Sequence, residues 1–225
     1  MKRILIAAAC AAAATSTVAN AGVLLLNDGS SATYNFPAFA TPANSVFFNF
    51  NAGDLSASTS YAGFTRTGGL LLNGDTAQGA APETFGVAAS QYLSTIGGAT
   101  TTIAQTAVGF DTVSFFLGSI DTYNTVNILS TTGAVLASFT GSQLSFTPNG
   151  NQDLPTTNRR VTFTRQASDA QIGGVSFASG GNSLEIDNLV FTVPEPATWA
   201  MMIVGFGLIG FAMRVRRGKM NTVYA

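Results

Sequence analysis

Between Gly22 and Val193 the sequence has no cysteine, no histidine and no lysine. Each absence removes a class of chemistry. Without histidine there is no Ser-His-Asp triad and no imidazole metal ligand, and without cysteine there is no thiol nucleophile and no thiolate zinc site. Without lysine, the Ser-Lys dyad and Schiff-base catalysis are gone. The glycine-rich stretches RTGGLLLNGD and GGNSLEIDN lack the P-loop lysine and read as turns rather than phosphate cradles. No disulfide can form inside this stretch, so a hydrophobic core must hold it together.

Positive charge is also scarce. The stretch carries only Arg66, Arg159, Arg160 and Arg165 against ten carboxylates, a formal charge of -6. The whole-chain value of -1 conceals this because the other basic residues lie at the two ends. An acidic, lysine-free domain has no electrostatic footprint for nucleic acid, so no nucleic-acid partner is expected.

The N-terminal end, MKRILIAAACAAAATSTVANA, has Lys2 and Arg3, a short apolar stretch, and then Ala19-Asn20-Ala21. Basic n-region, apolar h-region and A-x-A site together read as a secretory signal peptide over residues 1–21, cut between Ala21 and Gly22. Residues 22–193 then form one domain, 194–219 a separate segment, and 220–225 a short tail.

That domain is rich in Thr, Ser, Asn, Gly, Val and Phe, with fifteen of the 17 phenylalanines. Short apolar runs alternate with Gly/Ser/Asn/Asp punctuation, the pattern of many short strands. Strands are expected at 23–26, 45–50, 101–108, 112–117, 125–129, 135–139, 160–165, 174–178 and 184–193, with a weak helix over 82–95. STTGA at 130–134 is a hairpin turn with Gly133 at its left-handed position. The fold class is all-β, a two-sheet sandwich or jelly roll. In SLEIDNLVFTV, Leu184 and Ile186 occupy even positions, while Leu189, Phe191 and Val193 occupy odd ones. A β-bulge at Asp187-Asn188 would bring both sets to one face; a strand buried on both faces is the alternative.

Three kinds of chemistry survive the eliminations. Paired carboxylates could act on glycosides, but no spacing singles out a pair, and the domain is expected to be non-enzymatic. Calcium takes carboxylate and carbonyl oxygens, which Asp187, Asn188 and Asp28 offer, although Asp and Asn also serve as plain turn and bulge formers. No other cofactor is implied. In LGSIDTYNTV, Tyr123 has the ring to stack on a sugar while Asp121 and Asn124 hydrogen-bond it; equally, Asp121 and Asn124 shape the loop while Tyr123 packs.

The C-terminal segment is the most specific part of the sequence. Residues 197–213 contain no charge, and these 17 residues would make a helix of about 25 Å, short of the ~30 Å hydrocarbon core. Pro194 and Pro196 precede this run, the only tryptophan is Trp199, and Arg214, Arg216, Arg217 and Lys219 follow. Apolar run, interfacial tryptophan and terminal basic cluster predict a single transmembrane helix, with the arginines on the cytoplasmic side.

Pro194-Glu195-Pro196, then Trp199-Ala200, the apolar span and the arginines resemble the PEP-CTERM sorting signal, in the subtype with Trp-Ala three residues after the tripeptide. The resemblance implies an exported protein of a Gram-negative bacterium that makes extracellular polysaccharide. It implies a partner, an exosortase-type membrane peptidase, that processes the chain for release or surface attachment. The chain would be anchored transiently in the inner membrane with its domain periplasmic, and would end at the cell surface or outside the cell. The domain itself, with GSIDTYNTV and a closing DNLVF, resembles the ectodomains that accompany such signals. That likeness implies a surface or extracellular-matrix protein, with a carbohydrate-binding module for exopolysaccharide as the alternative and an Asp/Glu glycoside-active enzyme as the third reading.

Overall fold

Runs such as TVSFFLG and NTVNILS concentrate β-branched and aromatic residues, which pack best on a pleated, extended backbone. The computed structural model describes residues 24–26, 44–51, 55, 62–82, 91–166, 168–193 and 198–220. Its strands are β1 (Leu24–Leu26), β2 (Ser45–Phe48), β3 (Thr65–Thr67), β4 (Leu70–Asn73), β5 (Gln91–Thr95), β6 (Ala99–Ala104), β7 (Thr112–Gly118), β8 (Asn124–Ser130), β9 (Val135–Thr140), β10 (Arg159–Thr164), β11 (Ile172–Ser179) and β12 (Leu184–Thr192). A single helical turn, α1 (Gly141–Leu144), follows β9, and α2 (Thr198–Met220) follows β12.

From β5 onward the chain pairs as a long hairpin rolled on itself. β8 pairs with β9, β7 with β10, β6 with β11 and β5 with β12, all antiparallel. Further pairings of β8 with β11 and β7 with β12 close the roll. The result is two antiparallel sheets, ordered β1-β10-β7-β12-β5-β4 and β3-β6-β11-β8-β9, with β2 also joined to β12. This is jelly-roll wiring. It gathers the β5–β6, β7–β8, β9–β10 and β11–β12 connections at one end of the sandwich.

Phenylalanine fills the space between the sheets. Phe64 lies 4.5 Å from Phe191 and 5.2 Å from Phe48, and Phe110 completes that cluster. A second cluster joins Phe115, Phe163, Phe177 and Phe139. Each such ring pair is worth roughly 0.5–1.5 kcal/mol beyond its buried area, which suits a domain without disulfides in the described part.

The bulge in β12 is present. Its pairing with β7 slips between Asp187 and Val190, and Asn188 takes φ 48°. Leu184, Ile186, Leu189 and Phe191 all enter the one core in consequence. The bulge marks a change of neighbour: β5 pairs with Leu184–Ile186, β2 with Leu189–Thr192. The alternative reading is realised in part, because Glu185, Asp187 and Val190 on the outer face are buried too. The predicted turn at Gly133 also forms, with Ser130 N–H donating to the Ala134 carbonyl at 2.8 Å.

One expectation is corrected and another is not shown. The helix predicted over 82–95 is replaced at its end by β5, whose residues Tyr92–Thr95 are buried on both faces and therefore show no period-2 alternation. Residues 83–90 lie outside the described ones. The transmembrane span expected over 197–213 is not shown: among the described residues no helix is long and apolar enough to cross a membrane.

Candidate functional site

The gathered loops enclose a polar cleft of about 130 Å³. Four chain segments form it: Thr76–Ala80 before β5, Ser119 and Asp121 after β7, Gly150 and Gln152 before β10, and Asn182–Glu185 at the start of β12. The β4–β5 connection reaches the cleft by folding back over the outer face of the large sheet. Ser94 Oγ donates to the Gln78 carbonyl at 2.6 Å there, and Ala80 N–H donates to Glu185 Oε1 at 3.3 Å.

Close approach at the cleft requires glycine twice. A Cβ on Gly150 would stand 2.4 Å from Asp121 Oδ2, and one on Gly79 would stand 2.9 Å from Ser94 Oγ and 3.3 Å from Glu185 Oε1. Ser119 adopts φ 39°, a left-handed conformation unusual for serine, and its N–H donates to Asn158 Oδ1 at 2.9 Å. The turn directs its hydroxyl onto Glu185 Oε2.

Glu185 forms the floor. It is 1% exposed, and Ser119 and Ser183 hydroxyls and the Ala80 N–H all donate to its carboxyl. Burial pushes its pKa above the usual carboxylate range, and these three donors pull in the opposite direction without cancelling the shift. Asp121 is the second carboxylate. Tyr123 Oη donates to its Oδ2 at 2.5 Å and also to the Asn182 carbonyl at 3.2 Å. Burial and the bond to Asp121 push the Tyr123 hydroxyl up to about 12.

The loop residues expected to act together therefore have different places. Asp121 lines the cleft. Tyr123 stands beside it, 40% exposed, with its ring against Gly181. Asn124 is fully buried and shapes the loop, accepting from Asp121 N–H at 2.6 Å and donating to Ser179 Oγ at 3.0 Å. Sequence reasoning missed Glu185, Ser119, Asn182, Ser183 and Gln152. Glu185 alternates with Leu184 and Ile186 as any solvent-facing strand residue would, so no local signal distinguished it.

Of the three residues considered for calcium, Asp187 and Asn188 make the bulge, where Asp187 Oδ1 accepts from Asn188 N–H at 2.6 Å. Asp28 lies outside the described residues, and among those described no group of three or more His, Cys, Asp or Glu side chains comes together. The signal-cleavage residues Ala19, Ala21 and Gly22 also lie outside, as do Pro194, Glu195 and Pro196.

The sorting segment adjoins the sandwich without interrupting it. Val193 N–H donates to the Asn44 carbonyl at 3.0 Å, and α2 begins five residues later with Trp199 and Ala200 in its first turn. Ile203, Phe206, Ile209 and Phe211 are 58–70% exposed and point to different sides of the helix. Arg214, Arg216, Arg217 and Lys219 occupy its last two turns, where positive charge complements the helix dipole.

Residues 192–217 match the PEP-CTERM protein-sorting motif. No curated protein matches the chain in sequence. Among solved structures, the chain is similar to a family 29 carbohydrate-binding module at 12% identity, covering 67% of this chain and 92% of that one, with a TM-score of 0.37. A second variant of the family 29 module gives 13% identity over 65% and 90%, with a TM-score of 0.35. A module from Clostridium stercorarium, solved with cellobiose, gives 14% identity over 58% and 87%, with a TM-score of 0.33. Likeness of this degree does not extend to a shared ligand.

Proposed function

We propose that the chain is an exported, non-enzymatic cell-surface or extracellular-matrix protein, held transiently at the membrane by its C-terminal segment and processed there by an exosortase-type peptidase. One observation carries this reading. The sorting motif begins at residue 192, where the last strand ends, so a cut beyond Val193 would leave every strand and the whole described core in the released part. The test is expression in a host with and without the matching peptidase, followed by mass spectrometry of the released protein. A product starting at Gly22 and lacking the apolar segment is expected only with the peptidase. Full-length, membrane-bound protein in both hosts would reject the reading.

Association of the domain with glycan is the second reading. Its support is the cleft, whose side chains offer both hydrogen-bond donors and acceptors and include no basic group. The non-enzymatic reading draws on Glu185, whose two carboxyl oxygens are already engaged by three donors, leaving it poorly placed to exchange protons with a substrate.

A further inference from the structure

We infer that the cleft between Asp121 and Glu185 is a site for a neutral glycan, bound through its hydroxyls with Tyr123 at the rim. The inference rests on the glycan-association reading and names the site and ligand class within it.

Three physical features select this ligand. The lining is almost wholly polar, which disfavours an apolar molecule. It contains two carboxyl groups and no Arg or Lys, so phosphate, sulfate or uronate would meet acceptors where they need donors. What fits is a group that both donates and accepts at short spacing. A hydroxyl does so, and so do its counterparts here: the Asn182 and Gln152 amides can donate to it, and Asp121 can accept from it.

A ring stands at the mouth of the cleft. Beside the cleft, the partly exposed Tyr123 ring offers an apolar surface for the C–H face of a sugar, and its hydroxyl is fixed by Asp121 and the Asn182 carbonyl. Geometry of this kind is preorganised: glycine at 79 and 150 lets the segments converge, and little ordering remains for a ligand to impose.

The experiment uses the full chain in a sugar-free detergent, on an array of neutral and uronate-bearing glycans, with methyl glycosides as soluble competitors. Wild type is expected to retain neutral glycans and to release them to a methyl glycoside of a constituent sugar. Asp121→Ala and Gln152→Ala should each weaken retention by about tenfold, the loss of one or two hydrogen bonds, while melting as wild type does. If Asp121→Ala unfolds the protein, Gln152→Ala, on the more exposed side, carries the test. Retention unchanged in the folded variants would overturn the cleft but leave glycan association standing. No retention of any glycan by folded wild type would overturn both. A rise in melting temperature with calcium and not with methyl glycosides would make the cleft a cation site and reject the proposal.

Discussion

The carboxylate of Asp121 occupies the space that a side chain on Gly150 would need: a Cβ there would stand 2.4 Å from Oδ2 and 2.8 Å from the carboxyl carbon. Residues 29 positions apart are thereby locked together, and the β9–β10 connection is held against the β7–β8 loop. Gly150 N–H donates to the Ile120 carbonyl at 3.1 Å in the same contact.

Gly150→Ala therefore carries two costs. At φ 67° the alanine Cβ is strained by about 1–2 kcal/mol, and displacing Asp121 adds roughly 1–3 kcal/mol. Gly133→Ala is the control, since Gly133 has φ 82° but nothing within 4 Å of its missing Cβ. Urea unfolding should show Gly150→Ala to be the more damaging. Equal losses would mean that Asp121 moves aside freely.

Glu185 should make stability depend on pH in a definite direction. Its folded pKa is raised by burial, so the folded state binds the proton more tightly than the unfolded state does. The contribution is fully present below the ordinary value of 4.5 and is lost as pH rises through the raised folded value. The informative quantity is the difference between wild type and Glu185→Gln. Measured by urea unfolding from pH 4.5 to 8, the variant should gain on wild type as pH rises. A constant difference would show that Glu185 titrates normally.

What the sequence displayed and what it concealed divide along physical lines. The bulge was legible because parity is local: Leu184 and Ile186 against Leu189 and Phe191 cannot share a face without an extra residue. Turn chemistry at Gly133 and the C-terminal sorting motif were legible for the same reason, each being written within a few residues. β5 was not, since Gln91–Thr95 is covered on both faces and has no alternation to read. Nor were β3 and β4: TRT carries no apolar residue and LLLN no alternation. The cleft was only half visible. Asp121 stood out in a polar loop, whereas Glu185 joins it only through the rolled topology, 64 residues away in sequence.

Asn188 offers a direct test of the bulge. Asparagine tolerates the left-handed region, whereas a β-branched residue does not. Asn188→Val should lower stability by about 1–3 kcal/mol, and Asn188→Gly should stay close to wild type. Thermal unfolding of the pair separates backbone strain from loss of the asparagine side chain. If glycine and valine cost the same, the left-handed backbone at Asn188 is not what matters.

The last prediction concerns the residues that precede α2. An anchor alone needs an apolar helix and a basic end, and any such sequence would serve. A sorting signal needs side chains that a peptidase can read. Proline fixes φ and disfavours helix in the residue before it, so a Pro-Glu-Pro tripeptide is chemistry that a plain apolar anchor does not require. Glu195 then supplies the one charge between Val193 and Arg214. Glu195→Ala and Pro196→Ala should each block release and leave full-length protein in the membrane fraction, although Trp199, the apolar run and the arginines are unchanged. Because the last described tie of the sandwich, from Val193 to Asn44, lies upstream of both substitutions, the melting temperature of the domain should not move. Release is scored by fractionation in a host carrying the matching peptidase. Normal release of both variants would reduce the segment to an anchor, with its recognition chemistry elsewhere.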